Sequence, residues 1–199
     1  FVNSSAAPIG LKTDDVPKDF GRTPVMGWGS WYAYGKDGSS GVTEAMIKAQ
    51  ADLLVSTGLK DMGFRLIWPD GDFLAMKRNA SGGLEADPKR FPSGPFALAD
   101  YVHGKGLLWG AYSDSGKKTC CGPPGMYGFE QQDADTFAAW GVDHLKVDNC
   151  EVVNMSQPPE VRYQKIGHAL QHNSAGRKIV LNLCEGGLNN PGEWGPQIG

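Results

Sequence analysis

Short apolar segments alternate along this chain with segments whose apolar residues recur at helical spacing. The apolar segments, each a predicted strand, span residues 25–31, 64–70, 107–116, 142–149 and 178–186. The predicted helices between them span residues 43–57, 95–106, 127–141 and 159–173. Such alternation is typical of a parallel sheet covered by helices, so the sequence predicts an α/β fold.

The helical segments carry their own start and stop signals. Thr43 is a capping residue before the first helix, and Pro95 and Gly106 begin and end the second. Residues 1–22 show no such periodicity. We therefore expect an irregular N-terminal arm over residues 1–22 and a regular domain over residues 23–199.

The composition indicates a globular chain and excludes some partners. Hydrophobic residues make up 40% and charged residues 21% of the 199 residues, which suits a domain with a sizeable core. The net charge is only -3 and no basic block occurs, so nucleic acid is not an expected partner. Every apolar run is too short for a transmembrane helix, so we expect no membrane partner.

Glycosylation sequons bear on the compartment. Asn-x-Ser tripeptides occur at Asn3, Asn79 and Asn154, each in a polar, turn-prone stretch. Together with four cysteines they favour a secreted, extracellular glycoprotein. The alternative is a cytosolic protein with chance sequons and reduced thiols.

Sequence motifs predict neither a metal site nor a cofactor. The cysteines fit no zinc-binding spacing, since two are adjacent and two are isolated: Cys120, Cys121, Cys150 and Cys184. His168 and His172 have helical i, i+4 spacing but lack the acidic companion of a zinc motif. No dinucleotide-binding glycine motif, P-loop or nucleophile elbow occurs.

Polar residues follow the predicted strands at their carboxyl ends: Asp70, Asp114, Lys146 with Asp148, and Glu185. In α/β barrels and open α/β sheets alike, functional sites are built at that end. Five strands cannot close an eight-stranded barrel. The pattern therefore leaves two options: an open sheet, or part of a longer barrel.

Lys146 and Asp148 lie two residues apart and therefore on one face of their strand. A cation beside a carboxylate keeps the carboxylate ionised, which suits nucleophilic attack. The alternative is a salt bridge at a strand end. Four aromatic residues lie near the strand ends: Trp28, Trp31, Trp68 and Tyr112. Together with several carboxylates they favour carbohydrate chemistry over a structural salt bridge, although core packing is the alternative for some of them.

The sequence resembles the α-galactosidases of glycoside hydrolase family 27. The resemblance rests on the successive blocks "TPVMGWGSW", "FPSGPFALADYVHGKGLLWGAYSDSG", "TCCGPPG", "DADTFAAWGVDHLKVDNC" and "CEG", and runs from about residue 23 to residue 199. It implies a (β/α)8 barrel, of which this chain supplies roughly the first five βα units. It also implies hydrolysis with retention, by double displacement.

The resemblance assigns roles to individual residues. It implies that Asp148 is the nucleophile, that Lys146 contacts sugar hydroxyls and helps to keep Asp148 ionised, and that a disulfide joins Cys120 to Cys150. Further positions match the family's sugar pocket: Trp31, Asp70, Tyr112 and Glu185. In this family Cys184 pairs with a later cysteine that this sequence does not contain, and Cys121 has no counterpart.

Two departures from the family pattern concern the site. Asp70 matches the first of two adjacent aspartates, but Gly71 replaces the second, and Asp72 is a candidate substitute. The sugar could therefore differ, with a β-L-arabinopyranoside or an α-glucoside as alternatives to an α-galactoside. The family's general acid/base aspartate lies just beyond a segment like "WGPQIG", so it is not in this chain.

The missing acid leads to an expectation about the rest of the protein. We expect Gly199 not to be the end of the functional protein. The remainder of the same polypeptide, or a cleaved second chain, would complete the barrel around a small carbohydrate or oligosaccharide substrate. A non-catalytic sugar-binding relic is the alternative from another functional class.

Overall fold

The computed structural model describes residues 17–31, 33, 41–71, 73–150, 152 and 155–198. Its elements in chain order are β1 (Gly27–Gly29), α1 (Glu44–Ser56), β2 (Leu66–Trp68), α2 (Gly94–His103), β3 (Leu108–Asp114), α3 (Glu130–Ala139), β4 (His144–Asp148), α4 (Pro159–Gln171), β5 (Val180–Cys184), α5 (Pro191–Trp194) and a 3-10 turn (Gly195–Gln197). Each predicted strand and helix is present within these bounds. None of the described helices is both long enough and apolar enough to cross a membrane.

The five strands form one parallel sheet in the order β1-β2-β3-β4-β5. Each connection between them carries a helix, which is the arrangement that parallel strands require. Because every strand runs the same way, all the carboxyl ends lie along one edge of the sheet. The predicted parallel α/β architecture is confirmed.

The two faces of the sheet differ in character. Leu145 and Val147 of β4 point to the helix side, where they are fully buried in the main hydrophobic core. Aromatic rings pack edge to face in that core, with centroids 5.8 Å apart for Phe73 and Trp109. Alternate residues of β4 point to the opposite, concave face, and the lysine and aspartate singled out from the sequence are among them.

Strand β1 approaches β2 too closely for side chains on its concave face. A Cβ atom at Gly29 would lie 2.3 Å from the Trp68 ring, and one at Gly27 would lie 2.3 Å from the Leu66 carbonyl oxygen. The glycines of "GWG" are therefore required by packing. Trp28, between them, packs against the helix-side core, which is the alternative that the sequence left open for some of the aromatic residues.

Local chemistry explains where the helices begin. Thr43 is the N-cap of α1, and its hydroxyl oxygen accepts from the Met46 N–H at 3.3 Å, as its sequence position predicted. Helix α3 begins at Glu130, later than predicted, because Gly128 has φ +80° and Phe129 has φ -133°, and neither value is helical. Strand β2 begins at Leu66, later than predicted, and ends before Pro69, which has no N–H to donate.

His144 lies on the concave face of β4, and its burial has a consequence for acid stability. Its side chain is 1% exposed, and burial lowers its pKa to about 4 in spite of the attraction of Asp143. The unfolded chain takes up that proton already below pH 6.5. The contribution of His144 to stability should therefore fall between pH 6.5 and 4, by about 3 kcal/mol.

We expect His144→Leu to flatten that decline, as measured by urea unfolding of the complete protein at a series of pH values. The exposed His168 provides a matched control, and His168→Gln should leave the decline as it is. An equally steep decline in His144→Leu would show that other groups cause it.

Candidate active site

Three charged side chains meet on the concave face at the carboxyl ends of β2 and β4. The Lys146 Nζ lies 2.8 Å from Asp70 Oδ2 and 3.8 Å from Asp148 Oδ2. The sequence indicated a pair between the two β4 residues, but the shorter contact is to Asp70. Burial alone would lower the pKa of Lys146, but the two carboxylates outweigh it and raise that pKa, so the lysine stays charged.

Asp148 is held by neighbours from β3 and β5. The Tyr112 hydroxyl donates to Asp148 Oδ2 at 2.8 Å. Burial and the Asp148 charge raise the pKa of Tyr112, so it remains a donor. Burial and a hydrogen bond to Asp148 also raise the pKa of the Cys184 thiol, to about 11. The Asp148 side chain is 18% exposed, so its carboxylate can be reached from the cleft, and these neighbours fix its orientation.

Asp70 is buried and only partly satisfied. Its backbone N–H donates to Ser30 Oγ at 2.8 Å, and Trp68 Nε1 approaches its Oδ2 at 3.4 Å. Its other oxygen, Oδ1, is buried and has no hydrogen-bond partner among the described residues. A buried acceptor of this kind is costly unless a ligand donates to it.

Glu185 shows the same asymmetry at the end of β5. Its Oε1 accepts from the side-chain amides of Asn149 at 3.1 Å and Asn189 at 2.6 Å. Its Oε2 is buried without a partner within the part of the chain that the structure describes. Asp70 and Glu185 thus each present one unused acceptor.

Aromatic rings frame the charged cluster. The Lys146 Nζ lies 5.2 Å from the centroid of Tyr112 and 6.0 Å from that of Trp31. A flat, apolar surface beside carboxylates is what a sugar ring requires, because C–H groups face the aromatic rings while hydroxyls donate to the carboxylates. The structure brings together Trp31, Asp70, Tyr112, Lys146, Asp148 and Glu185 at this edge.

The Gly71 position is closed on one side by Cys121. Gly71 has φ +90°, and a Cβ built there would lie 2.9 Å from the Cys121 Sγ and 3.8 Å from the Trp31 ring. The Cys121 sulfur therefore occupies the space that a side chain at position 71 would need. Asp72, the candidate substitute, lies outside the described residues.

A family model described as Alpha galactosidase A matches residues 23–190. This chain belongs to that family. The α-galactosidase of Cyamopsis tetragonoloba is 45% identical over 180 residues, covering 90% of this chain and 42% of the relative. Alpha-galactosidase A of Cellvibrio japonicus is 44% identical over 178 residues, covering 89% of this chain and 42% of the relative.

Solved structures agree with the family assignment. Alpha-galactosidase I from Mortierella vinacea superposes with a TM-score of 0.81 at 38% identity, covering 88% of this chain and 44% of that chain. The α-galactosidase of Saccharomyces cerevisiae superposes with a TM-score of 0.81 at 37% identity, covering 88% of this chain and 38% of that chain. The chain thus spans less than half the length of these relatives. Its five βα units are part of a (β/α)8 barrel, as the resemblance implied.

The structure contains the disulfide that the family resemblance implied. Cys120 and Cys150 are joined, with Cα atoms 5.2 Å apart. The bond ties the loop after β3 to the end of β4, and the Cys120 sulfur lies 3.4 Å from Asp148 Oδ2. The described residues offer one cluster with metal-ligand spacing, Asp114 with Cys120 and Cys150, but its sulfurs are bonded to each other and are not thiolates.

Removing this disulfide should lower stability substantially. The bond closes a loop with a sequence separation of 30, for which the chain-entropy relation gives about 3–4 kcal/mol. We expect the double variant Cys120→Ser/Cys150→Ser to lose about that much in denaturant unfolding. Cys121→Ser is the matched control, and an equal loss in that variant would contradict the assignment of the stabilisation to the Cys120–Cys150 bond.

Of the three sequons, one lies in the described part of the chain. Asn79 is exposed in a turn, where its Oδ1 accepts from the Ser81 N–H at 3.0 Å and from the Ser81 hydroxyl at 2.8 Å. Asn3 and Asn154 lie outside the described residues.

Proposed function

We propose that the complete protein containing this chain is a retaining glycoside hydrolase of α-galactosidase type that removes terminal α-galactosyl residues. One observation carries the proposal: a carboxylate at the end of β4 is held between a charged lysine and a tyrosine hydroxyl in an aromatic-lined cleft. Family membership supports the same chemistry.

Asp148 is the proposed nucleophile. Its carboxylate oxygen attacks the anomeric carbon, the glycosidic C–O bond breaks, and the leaving oxygen takes a proton from a general acid. Water then gives a proton to the same group, now acting as a base, and attacks the anomeric carbon. The bond from that carbon to Asp148 breaks, which restores the carboxylate. Lys146 stabilises the ionised carboxylate and Tyr112 orients it. The general acid would come from the remainder of the polypeptide or from a second chain that completes the barrel.

The unused acceptors define the proposed sugar site. Asp70 Oδ1 and Glu185 Oε2 accept hydroxyl hydrogen bonds, and the Trp31 ring stacks on the sugar face. Small oligosaccharides are the proposed substrates. A structure of the Saccharomyces cerevisiae α-galactosidase with raffinose, 36% identical to this chain, supports that class.

We also propose that the protein is secreted and glycosylated. The Cys120–Cys150 disulfide supports an oxidising compartment, and the exposed Asn79 sequon supports glycan attachment. Detection of an Asn79 glycopeptide in protein purified from its native source would test both.

A second candidate keeps the mechanism and changes the sugar. The Cys121 sulfur beside Gly71 replaces any carboxylate at that position with a neutral group. A site that lacks one hydroxyl acceptor discriminates differently, which favours a β-L-arabinopyranoside or an α-glucoside as substrate. Asp72, by contrast, would support an α-galactoside if it contacts the sugar.

Turnover of aryl glycosides by the complete protein tests these proposals. We expect release of nitrophenol from the nitrophenyl α-galactoside. NMR spectra should show that the sugar formed first has the same anomeric configuration as the substrate. Faster turnover of the β-L-arabinopyranoside or α-glucoside would favour the second candidate. Tight sugar binding without turnover of any of them would contradict an enzymatic role and indicate a sugar-binding relic.

A further inference from the structure

Behind the cleft, a buried arginine of α4 contacts the segments that follow β3 and β4. Arg162 is 2% exposed, and its Nη1 donates to Ser115 Oγ at 2.7 Å while its Nη2 donates to Asn149 Oδ1 at 2.7 Å. The Ser115 hydroxyl lies 3.2 Å from the same Asn149 oxygen. A buried guanidinium between two strand ends is costly unless these hydrogen bonds are kept.

The arginine determines which way the Asn149 amide points. A guanidinium carries donors and no acceptor, so the oxygen of the amide must face it. The NH2 group of Asn149 is then left to face Glu185, and it donates to Glu185 Oε1 at 3.1 Å. If the amide turned over, an oxygen would face the carboxylate and repel it.

The orientation of Glu185 has a direct consequence for the cleft. With Oε1 occupied by two amide donors, the buried Oε2 is the oxygen left to accept from a ligand. A carboxylate whose second oxygen is already held presents a single, pre-oriented acceptor, which strengthens discrimination between hydroxyl and hydrogen on a ligand.

We propose that Arg162 is a positioning residue for sugar recognition, acting through Asn149 to orient the Glu185 carboxylate. The chain Arg162, Asn149, Glu185 is termed the relay below. This inference rests on the proposed sugar site. None of the three residues needs to take part in bond cleavage for the relay to operate, so binding measurements suffice to test it.

The test compares sugar binding by relay variants of the complete protein. Calorimetric titration measures the affinity of methyl α-galactoside and of its monodeoxy analogues, each of which lacks one hydroxyl. The wild-type protein should bind one analogue about tenfold to a hundredfold more weakly than methyl α-galactoside, because that analogue loses a hydrogen bond to a carboxylate. Glu185→Gln should largely abolish that difference for this analogue alone, which identifies the hydroxyl.

We expect Arg162→Met to reduce the discrimination at that same hydroxyl, and Arg162→Lys to restore part of it. The double variant Arg162→Met/Asn149→Ala should be no worse than Asn149→Ala alone, because both changes break one relay. Asn149→Asp keeps the oxygen for Arg162 but places a second carboxylate against Glu185. The Asn149→Asp variant should therefore bind the sugar more weakly than Asn149→Ala does, and its affinity should recover as the pH is lowered.

Arg177 provides the matched control. It is also a buried arginine, 8% exposed, but it contacts Asp143 and the Val142 carbonyl oxygen at the other end of β4. Arg177→Met should lower the Tm and leave the hydroxyl discrimination unchanged. If Arg162→Met weakens all the sugars equally, as a general loss of structure would, the proposal is overturned.

Two further outcomes remain decisive. If Arg162→Met does not fold, Asn149→Ala and Asn149→Asp carry the test, and unchanged discrimination in both overturns the relay. Hydrolysis by wild type is measured separately. Binding without hydrolysis would contradict the proposed function. The relay would still be tested by the hydroxyl discrimination of its variants.

Discussion

Asp148→Ala should lower kcat/KM of the complete protein for an aryl α-galactoside by on the order of 10⁴-fold or more. The reason is that, in the proposed mechanism, the substitution removes the oxygen that forms the covalent intermediate. Lys146 and Tyr112 would remain at the site, but both only support the carboxylate. Initial-rate kinetics with purified variants provide the measurement.

Two controls separate this loss from a loss of structure. Asp52→Asn removes an exposed carboxylate on α1 that pairs with Lys105, and it should retain activity within about twofold. Added azide should partly restore turnover by Asp148→Ala, since a small anion fits the space left by the carboxylate. Substantial activity of Asp148→Ala without azide would disprove its role as nucleophile.

Lys146→Met should have the second largest effect, lowering kcat/KM by about 10²-fold or more. The methionine keeps much of the volume but removes the positive charge that lies between Asp70 and Asp148. Two carboxylates would then face each other without a countercharge, which disfavours their joint ionisation. The acidic limb of the kcat/KM profile should therefore move to higher pH.

The pH profile distinguishes this electrostatic role from simple contact with the sugar. Lys146→Arg keeps the charge with a different shape, so its acidic limb should stay near that of wild type even if activity falls. If Lys146→Met lowers activity without moving the acidic limb, the lysine serves substrate contact alone.

The strand-end residues could be placed from the sequence because parallel strands align their carboxyl ends. The two-residue period put Lys146 and Asp148 on one face, and the alternation of elements brought Asp70 and Glu185 to the same edge. Those inferences needed only strand direction and side-chain alternation, which the apolar pattern of the sequence supplies.

The remaining contacts depend on distances between residues far apart in the chain. Lys146 pairs with Asp70 across 76 positions, and Asn149 with Glu185 across 36. The Cys121 sulfur beside Gly71 likewise follows from how two loops pack. No sequence periodicity encodes such pairings. Helix α5 was not predicted for a different reason, because its four residues are too few to show a helical period.

The central claim, a glycosidase with Asp148 as its nucleophile, is tested most directly by covalent labelling. The complete protein would be incubated with a galactose-configured, mechanism-based electrophile that esterifies a catalytic carboxylate, then digested and mapped by mass spectrometry. We expect one adduct per protein, on the peptide containing Asp148, and protection by free galactose. An adduct on another carboxylate, or turnover of substrate by protein that the probe leaves unlabelled, would contradict the account.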